Sequence, residues 1–531
     1  MRKPLEVSRR GFVGGTLAAS ILAGMQVESQ AAGDRDEARY QLFWGDLHNH
    51  NAVGYALGSL GRSIDNARGH LDFFAFTGHA AWHDMPKMPG DRQMKWVNGF
   101  KVHAEHWPKT RRMIQDANAA NFVALLGYEW HSSRFGDYCL VFPADQPDLY
   151  LPDHVDKLLD FAHKKQALAI PHHVAYKRGW RGANFDYFRR SVSPVVEVFS
   201  EHGCSESVTA PNPYIRHSMG GRDTTNTIQR QLDKGLRFGF VASSDSHRAY
   251  PGAYGEGVLG VWGRELSPAA LFEAIRARRT YAATGDRIVL DVALNGRPMG
   301  SELPATADRE IDVRVTGEDA IAMVEIVRNS KVVHRYFPDD HIAGPAMLPG
   351  KTKCRFQYGW GPWAALDLGR TCNWRITFRI EGGRFLRAVP CFQSGPFVEE
   401  LRDRLRVVSE HEIQLVSYTS RVRCFSEDPT KAIVVELEGG TDAELSVRII
   451  TPCRQTVKAR LADLITDNLV SITDGFTSES HIIHRLIGPG QYTANFRFHD
   501  RRDPTTAADW YYVRVTEKNG QHAWSSPIWV G

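Results

Sequence analysis

The sequence predicts a mixed α/β chain: a closed or nearly closed βα barrel over residues 40–287, then a β-rich, sandwich-like region over 288–531. Three observations predict it. Short apolar runs alternate with amphipathic ones from Tyr40 to about Gly285, short β-branched runs replace them from about Ile288, and histidines and carboxylates gather where the strands of the first part are expected to end. At 531 residues the chain is too long for one ordinary core. Its 42% hydrophobic and 24% charged residues are those of a soluble globular protein.

Apolar runs at 42–47, 71–77, 122–128, 138–142, 167–170, 195–199 and 238–243 read as strands. Between them, residues 153–165 place Val155, Leu158, Leu159 and Ala162 on one helical face. Ser267-Pro268 opens a further helix that runs to about Arg278, with Ser as N-cap and Pro in the first turn. Strands alternating with helices imply a parallel sheet covered by helices, and about seven repeats favour a barrel over an open doubly wound sheet. No glycine-rich dinucleotide fingerprint follows any of these strands. The runs at 311–316, 323–327, 332–336, 374–380, 432–437 and 446–450 alternate between Gly, Asp, Asn and Pro punctuation, as antiparallel strands do. The boundary near Arg287 has no flexible spacer, so the two parts are expected to pack tightly.

The first 32 residues read as a twin-arginine export signal: Ser8-Arg9-Arg10-Gly11-Phe12-Val13, a weak apolar run to Met25, then small residues around Ser29 to Ala32. That run is too short and too rich in Gly and Ala for a stable membrane anchor, so a periplasmic or secreted destination is expected. Seven scattered cysteines form no Cys-x-x-Cys pair, which removes support for a thiolate zinc knuckle. Cys354 with Cys372, or Cys391 with Cys424, are the disulfide pairings considered in an oxidising compartment. A net charge of +4 without a dense Lys/Arg run argues against nucleic acid as a partner. The oligomeric state is not written in the sequence.

The chemistry concentrates in one constellation. In Gly45-Asp46-Leu47-His48-Asn49-His50, positions two apart face the same way on a strand, so His48 and His50 project together with Asp46 behind them. Two neutral imidazoles make half of a divalent metal site. The other half follows at later strand ends: Phe76-Thr77-Gly78-His79, Gly127-Tyr128-Glu129-Trp130-His131, Pro171-His172-His173, Glu201-His202 and Ser243-Ser244-Asp245-Ser246-His247. The C-terminal ends of strands are where βα barrels build their sites. Carboxylates among several histidines favour a multinuclear centre, with Glu129 as the candidate bridge. His70, His103, His106 and His163 read instead as solvated or capping residues, while His83 and His131 stay ambiguous.

This ordered set, Asp-Leu-His-Asn-His, Thr-Gly-His, Gly-Tyr-Glu, Pro-His-His, Glu-His-Gly and Asp-Ser-His, resembles the PHP (polymerase and histidinol phosphatase) family over roughly residues 40–290. More narrowly it resembles that family's exported DUF3604 group, as does the stretch from Leu271 to Asp286. The resemblance implies a distorted seven-stranded βα barrel holding two or three divalent ions, zinc, manganese or iron. It implies His48 and His50 as the opening metal pair, His79 as the second-strand ligand, Glu129 as the bridge, His172 or His173 from mid-barrel, His202, and Asp245 with His247 as the closing pair. Adjacent strand residues face opposite ways, so one of His172 and His173 is expected to point inward. Two departures stand out: Gly78 replaces a frequent Asp, and the segment 51–60 lacks a frequent further His. His83 is a candidate to compensate.

The expected function is a metal-dependent, phosphoesterase-like hydrolase working through a metal-bound hydroxide, since bound ions lower the pKa of water from about 16 to near 7. Asp46, Glu129 and Asp245 are the candidate catalytic carboxylates, Asp46 by orienting a ligand imidazole. Tyr176, Lys177, Arg178 and Arg181, with Trp180 among them, suggest a loop for an anionic or ring-bearing substrate, small molecule or polymer. Arg216, His217 and Arg222 are candidates to join it. The alternatives are hydrolysis of C–O or C–N bonds in esters, lactones, amides or glycosides, and a non-catalytic metal-binding protein.

Overall fold

The computed structural model describes residues 40–143, 147–212, 221–341, 350–360, 371–420, 428–473, 479–502, 506 and 508–531. The candidate export signal, Arg216, His217 and Cys424 lie outside them.

The first part supplies strands β1 (Gln41–Asp46), β2 (Phe73–Phe76), β3 (His79–Trp82), β4 (Val123–His131), β5 (Asp137–Val141), β6 (Leu168–His172), β7 (Val195–Ser200), β8 (Gly203–Cys204), β9 (Gly239–Ala242), β10 (Val258–Gly263) and β11 (Thr280–Ala283). Its helices are α1 (Leu60–Arg68), α2 (Met94–Ala117), α3 (Val155–Lys164), α4 (Ile228–Asp233) and α5 (Pro268–Arg276). The apolar runs become strands because both sheet faces are covered: every residue of β2, β4, β5, β6 and β7 is buried. Helix α3 buries Val155, Leu158, Leu159 and Ala162, the stripe its sequence writes. Helix α5 starts where Ser267 Oγ accepts from the Ala270 N–H, with Pro268 in the first turn.

Among the described residues, hydrogen bonds do not join the strands into one continuous ring of seven. Hydrogen-bonded neighbours run β11-β10-β1-β2-β4-β5-β6, and β8-β7-β9 forms a separate sheet. Only some of these ladders are parallel: β1 with β2, β2 and β3 with β4, and β7 with β9. Strand β5 folds back on β4, and β10 runs antiparallel to both β1 and β11. The five residues between β4 and β5 are far too few for a helical crossover, and so short a connection forces a hairpin.

The second part is rich in antiparallel sheet, and the first part's sheet continues into it. Strand β11 pairs with His522–Ser525, placing Tyr281 opposite Ser525 and Ala282 opposite Trp524. That strand pairs with Asp509–Glu517, which pairs with Ile321–Arg328. Facing this extension is a four-stranded sheet that includes Val289–Leu294, Asp308–Thr316 and Thr493–Arg501. The two layers share one apolar core through Val292, Val313, Val324, Ile326, Val513 and Val515. A further sheet is built on two long strands, Thr371–Cys391 and Lys431–Thr451, and has a separate core around Phe356, Trp374 and Ile433. Cys354 and Cys372 do not form the disulfide considered for them, both being thiols, and Cys354 Sγ donates to the His484 carbonyl at 3.3 Å; the pairing considered for Cys391 involves Cys424, which lies outside the described residues. No helix among the described residues is long and apolar enough to cross a membrane.

Arg62 of α1 joins the two parts. It is fully buried and donates to the carbonyls of Val398 at 2.8 Å and Leu401 at 2.6 Å and to the Tyr418 hydroxyl at 2.8 Å. Arg62→Ala strands these acceptors in a dry interface. The variant is expected to lose about 2–4 kcal/mol of unfolding free energy in a urea titration.

Candidate metal centre

Two backbone segments meet at the heart of the first part. The Asp245 N–H donates to the His48 carbonyl at 2.7 Å, and the His50 N–H donates to the Ser246 carbonyl at 2.9 Å. Residues 48–50 and 245–247 thus lie side by side just past their strands, and the two pairs His48/His50 and Asp245/His247 converge. Asp46 fastens this junction. Its Oδ1 accepts from the His48 N–H at 2.8 Å, and its Oδ2 accepts from Ser244 Oγ at 2.5 Å and the Gly252 N–H at 2.6 Å. Its carboxylate therefore serves backbone and hydroxyl donors rather than an imidazole ring, unlike the orienting role expected of it. That role falls to Glu197 of β7, whose Oε2 lies 3.0 Å from His48 Nδ1 and turns His48 Nε2 toward the centre.

Two buried carboxylates sit among eight imidazoles. Glu129 Oε1 is 2.6 Å from His172 Nε2 and 3.9 Å from His48 Nε2. Its Oε2 is 3.2 Å from His131 Nε2, 3.4 Å from His79 Nε2 and 3.6 Å from His50 Nε2. Asp245 Oδ1 is 2.7 Å from His50 Nε2 and 3.3 Å from His48 Nε2, while its Oδ2 is 2.8 Å from His202 Nε2 and 3.6 Å from His173 Nε2. His247 turns Nδ1 to Glu201 at 3.0 Å. Every residue expected to ligate metal reaches this cluster.

Both His172 and His173 enter it. His172 ends β6, and the backbone of His173 leaves the strand at φ 51°, so alternation no longer governs its direction. Asp245 at φ 53° and Arg181 at φ 73° also occupy the left-handed region, a conformation costing on the order of 1–3 kcal/mol that gathers at functional sites. His131 belongs to the cluster as well, its Nδ1 3.3 Å from Asp137. The sequence carried a signal for it, since Glu129 and His131 are two apart on β4, as His48 and His50 are. His83 is exposed, bonds the Leu151 carbonyl at 3.0 Å, and adds nothing to the centre. His103 is not solvated: it is buried between the rings of Phe76 and Trp107, and burial pushes it down to about 3.

Most of the charge states suit cations, although at His48 burial, which lowers the pKa, is outweighed by the charges of Asp245, Cys139 and Glu197, which raise the ring well above the usual imidazole range. Burial holds His50 down to about 3, and burial with neighbouring imidazoles holds His79 and His173 well below the usual range. Burial opposes ionisation of Glu129, but His131, His172 and His50 outweigh it and hold the carboxyl down to about 2. Asp245 is likewise held well below the usual carboxylate range, against burial, by His48 and His202. Neutral imidazoles and ionised carboxylates are the forms that ligate metal. Several buried donor atoms are also orphaned: Glu129 Oε2 and His131 Nε2 lie 3.2 Å apart yet make no hydrogen bond, and the Nδ1 atoms of His50, His79 and His173 have no partner. Buried polar atoms are rarely left so, and a divalent ion between Glu129 Oε2 and His131 Nε2 would satisfy that pair. Triads such as His48/His50/Asp245, His79/Glu129/His131 and His50/His79/His247 present their donor atoms within 4.8 Å of one another.

A cavity of about 260 Å³ opens on this cluster, walled by Tyr55, Lys95, Trp96, Arg181 and Glu201 together with the metal-facing residues. Of the expected substrate loop, Arg181 alone lines it. Tyr176 is buried with its ring 5.0 Å from that of His173. Lys177 and Arg178 are exposed, and Arg178 is paired with Asn184 and Asp186. Arg222 is exposed too. Tyr55, Trp96, Glu197 and Glu201 were missed as site residues. A carboxylate in the middle of the fully buried β7 was the signal for Glu197, and nothing in the local pattern marks Tyr55.

A buried imidazole and carboxylate cluster of this kind, on a mixed α/β frame, defines a candidate metal-binding protein. Two chlamydial proteins named only as uncharacterized are similar to it: one from Chlamydia trachomatis, 33% identical over 282 residues, 46% of this chain and 43% of that one, and one from Chlamydia muridarum, 32% identical over 271 residues with the same coverage. The chain thus spans less than half the length of these curated relatives. Among solved structures, a two-domain protein from Bacteroides vulgatus, described as containing a predicted PHP-like metal-dependent phosphoesterase, aligns at 16% identity and a TM-score of 0.32, over 56% of this chain and 85% of that one. No family model matches the chain.

Two outcomes follow from the geometry. A Cβ at Gly78 would sit 2.5 Å from Phe76 Cζ and 2.6 Å from the Val53 carbonyl oxygen. Gly78→Asp is therefore expected to cost about 1–3 kcal/mol in urea unfolding, with no gain in metal content by elemental analysis. Second, burial lowers the His247 pKa, but Glu201 and Asp245 outweigh it and raise the group to about 9. The metal-free protein thus carries this proton below pH 9, and ligation requires the neutral ring. Titrating metal at pH 7.5 in buffers of different ionisation enthalpy should show proton release from His247, which vanishes at pH 10 and in His247→Ala.

Proposed function

We propose that this chain is a PHP-type, metal-dependent hydrolase that cleaves a small phosphoester or a related anionic substrate. The reading rests on one observation above the rest: Glu129 Oε2 lies within 3.6 Å of three imidazole nitrogens and bonds none of them. The ordered motifs that resemble the PHP family support it. Two or three divalent ions would be held by His48, His50, His79, His172, His173, His202 and His247 with Glu129 and Asp245. When bound, such ions lower the pKa of water toward 7 and stabilise charge on a phosphoryl or carbonyl oxygen. Zinc, manganese and iron all accept this donor set.

The chain's own groups do the rest. Glu197 and Glu201 orient His48 and His247 through their Nδ1 atoms, leaving Nε2 as the inward donor. Glu129 and Asp245 supply the negative charge that gathers cations at one end of the cavity. Asp46 keeps both histidine pairs in register and takes no proton from substrate. A cavity of about 260 Å³ suits a small molecule, and suits a polymer only at its terminus. The N-terminal arginine pair supports export, which places the substrate in the periplasm or outside the cell.

The test is elemental analysis of purified protein, joined to a screen of phosphomonoesters, phosphodiesters, esters and amides with and without a chelator. Bound divalent metal and chelator-sensitive phosphoesterase turnover are expected. Glu129→Gln should lose metal and at least about 100-fold in turnover, on the scale of removing a principal electrostatic group. Full activity in the chelated protein would contradict the reading.

A further inference from the structure

On that reading, we propose that Tyr55 and Arg181 form a two-armed clamp that binds the substrate's charged oxygens in the cavity they share with Glu129 and Asp245. All four residues line this one cavity. Arg181 is 7% exposed, and its guanidinium is fixed from behind. Its Nε and Nη2 donate to Asp137 Oδ2 at 2.7 and 2.6 Å, and Nη2 lies 3.1 Å from His131 Nδ1. A guanidinium carries five N–H groups. Those on Nη1 meet no acceptor among the described residues.

Tyr55 comes from the segment where the PHP-like pattern lacks its further histidine. Its ring is stacked on the His79 ring at 3.7 Å and stands edge-on to Trp96 at 6.2 Å, which fixes the plane of the phenol. Its hydroxyl makes no hydrogen bond among the described residues. A phenol is a hydrogen-bond donor at neutral pH. Two preorganised donors line the same cavity as the carboxylates that would gather cations, so an oxygen-rich anion bound there meets both. The flat fork of arginine spans two oxygens of a tetrahedral group, and the phenol takes one.

The experiment uses metal-loaded, full-length protein with inorganic phosphate as the probe. Phosphate binding is measured by equilibrium dialysis in the wild type, Tyr55→Phe and Arg181→Lys, with metal content determined on the same samples. The expected result is full metal content in all three and phosphate affinity lowered on the order of 10-fold or more in each variant, the scale of one hydrogen bond to a charged group. Wild-type binding with both variants unchanged overturns the clamp and leaves the hydrolase reading standing. Arg181→Lys protein that loses metal together with phosphate overturns the arginine arm, making that residue a brace for His131. Wild-type protein that carries its metal but binds no phosphate overturns the phosphoester reading itself.

Discussion

The centre depends on the junction of residues 48–50 with 245–247. These segments are far apart in sequence and are held by two short backbone hydrogen bonds and by the buried carboxylate of Asp46. A carboxylate taken from water is costly unless its oxygens are satisfied, and here donors on both segments satisfy them. The same bonds that make Asp46 tolerable in the interior therefore fix the spacing of His48, His50, Asp245 and His247. Asn49 adds a third tie, from its Nδ2 to the Ala75 carbonyl at 2.8 Å, which anchors the junction to β2.

Around that junction the chain concentrates more unsatisfied polarity than a metal-free interior accommodates. Eight imidazoles and two carboxylates within a few ångströms is a poor way to stabilise a core, because each buried ring nitrogen without a partner carries a desolvation cost. The left-handed backbones of His173, Arg181 and Asp245 add to it. Costs of this kind persist where function requires them, and the surrounding fully buried strands β4, β5 and β6 supply the compensating apolar contact.

The candidate ligands were legible because their chemistry follows strand periodicity. Spacing by two places side chains on one face, and that rule reaches His48, His50, Asp245 and His247 from sequence alone; applied to Glu129, it also reaches His131. It fails at His173, where the strand has ended. It is silent on Arg181 versus Arg178, because the direction of a loop cation depends on which acid captures it: Asp137 holds one inward and Asp186 the other outward. Seven strands of the first part were legible as apolar runs and several of the second from alternation, but β3, β8, β10 and β11 were not read from the sequence, and neither was the pairing. A closed ring was expected from repeat number, yet the hairpin of β5 on β4 and the antiparallel placement of β10 set a different order. Local pattern carries no address for a distant partner strand, so the pairing of β11 with His522–Ser525 could not be read in advance.

That last pairing bears on biogenesis. A ribosome that has just emitted Arg287 has already made every imidazole and carboxylate of the centre, yet the neighbour of Tyr281 in the sheet is Ser525, still to be translated. Until then the edge of β11 stands open, with Trp524 absent from the apolar cluster it shares with Phe199 and Phe240. Completion of the sheet is thus deferred until long after the residues of the centre are made, and a nascent chain stalled earlier exposes a bare strand edge to its neighbours.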